Sequence, residues 1–99
     1  MIRFQYVIKG DLGDISAGDL VDKMHARNIG DYVAFNLYKG AVDMTVYIYG
    51  YDDNNPREQA QTAFDEMVGG GVRITGAYLN IYKEDGDILE RQEVLAALA

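Results

Sequence analysis

The chain has 99 residues, 48% hydrophobic and 25% charged, which suits one domain with a modest core and does not match a disordered composition. Sixteen acids against nine bases leave a net charge of −7, which argues against a nucleic-acid backbone or an anionic membrane as partner, since both need clustered Lys and Arg. Without cysteine there can be no disulfide, thiolate metal site or cysteine nucleophile, and a reducing cytoplasm is the expected setting.

The opening segment, MIRFQYVIKG, lacks the long apolar stretch of a signal peptide, and no apolar run approaches the roughly 20 residues of a membrane span, so a soluble protein is expected. Ile2, Phe4, Tyr6 and Ile8 alternate with Arg3, Gln5, Val7 and Lys9, which predicts a first strand ended by GDLGD. From Ser16 to Asn28, Ala17, Leu20, Val21 and Met24 fall at helical spacing, with Ser16 and Asp19 as an approximate capping box and Gly30 as a stop. Tyr32 to Tyr38 and Ala41 to Tyr51 alternate on either side of Lys39-Gly40, the spacing of a tight hairpin. A second helix starts at NNPRE, with Asn55 as N-cap and Pro56 at its first position. It carries Ala60, Ala63, Phe64, Met67 and Val68 as its apolar stripe and closes at Gly69 to Gly71. Val72 to Lys83 reads as another strand with Gly76 marking a bulge. Beyond it, Ile88, Val94, Leu95 and Leu98 fit a short amphipathic helix, but YKEDGDILER fits equally a hairpin with Ile88 to Arg91 as its return strand; a short C-terminal helix is expected, with 87–91 left open.

The order β-α-β-β-α-β predicts an α+β fold of ferredoxin-like type over residues 1–99: a four-stranded antiparallel sheet in order 4-1-3-2, two helices on one face, and a short C-terminal helix. The helices then cover Val33, Phe35, Leu37, Val42, Met44, Val46, Ile48, Leu79 and Ile81. The other face carries Tyr32, Tyr38, Tyr47, Tyr49, Tyr78 and Tyr82, six of the eight tyrosines. Three uses follow for such a face: cover by the C-terminal segment, pairing with a second copy, or binding to another molecule.

Few residues carry the marks of chemistry. DDNN at 52–55 has the look of a calcium loop but lacks its glycine, and Ala63 stands where the closing glutamate belongs. His25 is the sole histidine and has no identifiable nucleophile nearby. The glycines of VGGGVRITG follow a helix instead of preceding one, so they form no phosphate loop. No cofactor, metal site or catalytic residue is assigned, and the chain is expected not to be an enzyme. Acidity is more informative, because it is segregated: Asp11, Asp14, Asp19 and Asp22; then Asp52, Asp53, Glu58, Asp65 and Glu66; then Glu84, Asp85, Asp87, Glu90 and Glu93. In the predicted topology the third and fourth strands end at one pole, where Asp31, Asp52, Asp53, Glu84, Asp85 and Asp87 gather.

Three resemblances bear on function. YVIKGDL at 6–12 is similar to the first-strand motif of RNA-recognition domains, but KGAVDMTVY puts Ala41 and Asp43 where that family needs stacking rings. The loop KGDLGDIS resembles the ligand loop of ACT-type regulatory domains, although Asp11 and Asp14 would repel a carboxylate there. In size, charge and surface the chain resembles small acidic phage-type inhibitors, the anti-CRISPR and anti-restriction proteins of the nucleic-acid-mimic class. That resemblance implies a non-enzymatic inhibitor that blocks a basic nucleic-acid-binding surface of a host defence complex. Its partner is then a basic protein or nucleoprotein, not nucleic acid itself and not a membrane. The expected partner-binding residues are Asp52, Asp53, Glu84, Asp85, Asp87, Tyr47, Tyr49 and Tyr51, with the carboxylates standing in for phosphates and the tyrosines as anchors. The alternative is a homo-oligomeric regulatory or structural domain, ACT-like or similar, that uses the tyrosine face as a dimer interface.

Overall fold

Alternation along the first strand decides the layout, because it gives that strand one apolar side and two partners. The structure, a computed structural model, describes residues 2–26, 31–38, 41–51 and 54–99, and the side chains of these apart from Tyr32, Leu37, Tyr38, Ala41, Asn54 and Asn55. Strand β1 (Arg3–Asp11) lies at the centre, antiparallel to β3 (Ala41–Gly50) on one side and to β4 (Arg73–Tyr82) on the other. Strand β2 (Tyr32–Tyr38) pairs with β3, and β5 (Ile88–Glu93) with β4, so the sheet order is β2-β3-β1-β4-β5. The helices are α1 (Ala17–Ala26), α2 (Asn54–Gly69) and α3 (Leu95–Leu98). No helix among the described residues is long and apolar enough to cross a membrane.

The expected four-stranded ferredoxin-like sheet is therefore corrected to a five-stranded antiparallel one with three helices. The added strand is the hairpin reading of YKEDGDILER. Every residue of β5 is exposed, so burial imprints no alternation on it. Local turn chemistry forms it instead. Lys83 N–H donates to the Asp87 carbonyl (2.9 Å), Gly86 takes a φ of 92°, and the Asp85 carboxylate accepts the Asp87 N–H at 3.0 Å.

On one face, Ile48, Tyr6 and Leu79 align across three strands, and Val46, Ile8 and Ala77 form the next row; all six are buried. Leu20 and Met24 of α1, Ala60, Ala63, Phe64 and Met67 of α2, and Leu98 of α3 close over them. Burying each large apolar side chain contributes roughly 1.5–3 kcal/mol. Ser16 Oγ accepts the Asp19 N–H (3.3 Å), one half of the expected capping box for α1. The proposed cap by Asn55 lies outside the described side chains, and α2 begins at Asn54. Its far end closes by paired bonds, Val72 N–H to the Met67 carbonyl and Gly71 N–H to the Val68 carbonyl, with Gly71 at φ 90°. Val72 and Met67 meet in the core beside that turn.

One expectation about the covered face needs correction. Phe35 is 38% exposed, because it lies on the edge strand β2 while α2 packs mainly on β1, β3 and β4. Val33, Val42 and Ile81 do pack against the core, each partly buried, and Leu37 lies outside the described side chains.

The bulge predicted near Gly76 falls beside it. Lys9 faces Gly76 and Gly10 faces Ile74, so Thr75 is the extra residue. The slip turns Ile74 toward the core and places Arg73 opposite Asp11, with their side chains 3.2 Å apart. Asp11 also accepts the Gly13 N–H at 3.1 Å. The Gly13 amide first, and Arg73 second, hold the Asp11 carboxyl below its ordinary value of 3.8. A depressed carboxyl stabilises the fold above its unfolded value, and that stabilisation is lost as pH falls through the lower folded one. Asp11→Asn should therefore lower the urea midpoint at neutral pH, and the gap to the parent should close as pH drops below 3.8. A gap independent of pH would overturn this.

Candidate functional site

Opposite the helices, the sheet face is covered by its own side chains. The C-terminal segment does not reach it: Val94 N–H extends the ladder to the Ala77 carbonyl, and Leu98 then turns into the core beside Gln61, whose amide donates to the Leu98 carbonyl at 2.8 Å. Tyr47, Tyr49, Tyr78 and Tyr82 stand on this open face, aligned with Val7, Gln5, Val7 and Arg3 of β1 respectively. The positions expected for Tyr32 and Tyr38 fall outside the described side chains.

Beneath the rings lies a chain of amides. Gln5 Nε2 donates to the Tyr49 hydroxyl (3.1 Å), while Gln5 Oε1 accepts from Asn80 Nδ2 (3.0 Å) and from the Tyr82 hydroxyl (2.8 Å). Asn80 Oδ1 in turn accepts Arg91 Nε at 2.8 Å, so one connected row crosses β3, β1, β4 and β5. Gln5 is 9% and Asn80 3% exposed, which makes this a buried polar network on a face without helices. No buried side-chain nitrogen or oxygen among the described residues lacks a partner, the condition under which such a network fixes geometry without a desolvation penalty.

Cations lie across the rings. Arg3 stands 4.8 Å from the Tyr82 centroid and 5.7 Å from that of Tyr49. Arg91 and Lys9 stand 5.5 and 6.0 Å from that of Tyr78. The Tyr78 ring itself leans back over Gly76, where an added Cβ would sit 3.0 Å from it. Exposed contacts of this kind contribute roughly 0.5–1 kcal/mol each, so their main effect is to hold the cations in place.

The register also decides which proposed partner-binding residues meet. Phe4 faces Gly50, and Arg3 faces Tyr82, so the end of β3 and the β4–β5 turn sit on either side of the start of β1. Tyr49 and Tyr51 (38% and 66% exposed) therefore share one end of the sheet with the exposed Glu84, Asp85 and Asp87. Asp31 is there too, its carboxylate accepting the Tyr49 N–H at 2.7 Å, along with the bases Arg3 and Lys83. Asp52 and Asp53 lie outside the described residues. Tyr47 is half-buried and belongs to the middle of the face, one strand row away from that end.

Sequence reasoning missed the network and the cations as a group. Arg3, Gln5, Val7 and Lys9 were legible as one side of β1, but Arg91 joins them only through β5. His25 is exposed on α1, and among the described residues no three His, Asp or Glu side chains group to hold a metal. Compared with known proteins, the chain matches no protein-family model, no curated protein and no solved structure.

Proposed function

We propose that the chain is a non-enzymatic, cytoplasmic binding protein that docks one end of its sheet on a basic nucleic-acid-binding surface, as an inhibitor of a host defence complex would. The observation that carries this reading is the β1 register, which groups Tyr49 and Tyr51 with Glu84, Asp85 and Asp87. Exposed rings supply anchor area at low entropy cost, and carboxylates at the rim steer a basic partner into register. The alternative, two copies pairing through the tyrosine face, is the weaker reading. It would bring Arg3, Lys9 and Arg91 of both copies into one interface, where like charges oppose each other.

The test is recovery of a basic nucleoprotein from host lysate on the immobilised chain, with the rate of association then measured across salt concentrations. Asp85→Lys with Asp87→Lys should slow association about tenfold and flatten its salt dependence. Binding that is salt-insensitive, or an unchanged rate in the double variant, would remove this end from the docking surface.

A further inference from the structure

The centre of the open face has chemistry opposite to that of the acidic end. A cleft of about 390 Å³ opens there, lined by Lys9, Arg91, Tyr47, Tyr78 and Tyr82 over a floor of Gln5, Val7 and Asn80. Not one of its lining residues is a carboxylate. Among the described residues no acid forms an ion pair with Lys9 or Arg91, on a chain where acids outnumber bases sixteen to nine. Glu93 is aligned with Tyr78 on the same face, but it flanks the cleft without lining it.

Holding two unpaired cations beside one ring needs a reason, since mutual repulsion opposes it. Arg91 is not placed there by chance rotation: its Nε is bound to Asn80, itself 97% removed from solvent and fixed by Gln5, which leaves the terminal guanidinium nitrogens free for a further acceptor. The amides of the floor are bonded to each other and to Tyr49, Tyr82 and Arg91, so they offer little to a neutral polar ligand. What the cleft still offers is positive charge and aromatic wall. An oxyanion satisfies the first by charge-assisted hydrogen bonds, and a planar ring satisfies the second by stacking or edge contact with the tyrosines. A volume near 390 Å³ fits a single-ring compound.

We propose that this cleft binds a small ring-bearing oxyanion, with Lys9 and Arg91 as its charge partners and Tyr47, Tyr78 and Tyr82 as its walls. The carboxylate and phosphate forms share this chemistry, and the experiment separates them. Benzoate and phenyl phosphate, which differ only in the oxyanion, are titrated into the full-length protein by calorimetry and by amide chemical-shift mapping. At least one should saturate, with shifts centred on residues 5–9, 78–82 and 91, and the tighter of the two identifies the anion class. Acetate and inorganic phosphate, which lack the ring, should bind more weakly. Lys9→Gln and Arg91→Gln should each weaken the preferred probe about tenfold. Lys23→Gln on α1, an exposed cation distant from the cleft, should leave it unchanged. Because Arg91→Gln also removes the bond to Asn80, Arg91→Lys keeps the charge and should retain most of the affinity. Failure of both ring-bearing probes to saturate would overturn the assignment, as would equal binding by the Lys9→Gln, Arg91→Gln double variant. None of these results depends on the acidic end, so either proposal can fail without the other.

Discussion

Gln5→Ala should destabilise the protein by about 3 kcal/mol, although it removes a polar side chain from a face that no helix covers. Gln5 is the branch point of the open-face network, with one donor bond to Tyr49 and two acceptor bonds from Asn80 and Tyr82. Truncation leaves Asn80 Nδ2 without its acceptor in a side chain only 3% exposed, and an unmet buried donor costs about 1–3 kcal/mol alone. Loss of the packing under the two rings supplies the remainder. Gln5→Met keeps the volume and discards only the bonds, so it should cost about half as much. Urea unfolding is the measurement: the midpoint should fall with the slope unchanged, which separates lost stability from a change in the unfolded state. An unchanged midpoint for Gln5→Ala would mean that water replaces the network freely. The same variant tests whether the floor positions the cleft, because Arg91 is anchored through Asn80.

How much of this was legible in the sequence varies with how strongly burial marks each element. β1, β3 and β4 each turn one apolar side to the helices, and alternation along β3 and β4 named correct inward residues, Met44, Val46, Ile48 and Leu79 among them. Hairpin spacing placed β2 against β3, and helix period located α1 and α2. β5 has no buried residue, so a pattern method has nothing to detect. Only the turn residues Asp85 and Gly86 hinted at it. Its absence from the expected fold also hid Arg91, and with it the cationic character of the open face. Phe35 shows the reverse failure: its alternation is inward, but it lies on the edge strand and keeps 38% of its surface exposed.

The tyrosines illustrate a further limit. Period-two spacing says which side of a sheet a ring occupies, but not what lies on it. Tyr78 and Tyr82 have cations over their rings, and Tyr82 and Tyr49 bond to Gln5 across strands. The two bonds to Gln5 join residues 44 and 77 positions apart, so no local window contains them. Tyr51, by contrast, lies past the end of β3 and keeps 66% of its surface exposed.

The second large effect concerns a glycine. Gly10→Ala should cost about 2–3 kcal/mol, because the new methyl has no room. A Cβ at Gly10 would stand 2.4 Å from Val72 Cγ1, and 3.3 Å from both the Arg73 carbonyl oxygen and Met67 Cε. Val72 cannot swing away cheaply. It is β-branched and buried, and its N–H closes the last turn of α2 on the Met67 carbonyl. Gly10 also sits at the register slip, opposite Ile74, so pushing the strands apart there would loosen the device that turns Ile74 inward. Gly69→Ala is the control. An added Cβ there meets nothing within 4 Å, and at the end of α2 the substitution should be neutral or stabilise by up to about 1 kcal/mol. The two midpoints should therefore move in opposite directions, or one should move and the other stay. Equal shifts would show that the loss reflects glycine in general and not the hollow that receives Val72, and the packing of α2 against β1 would need another account.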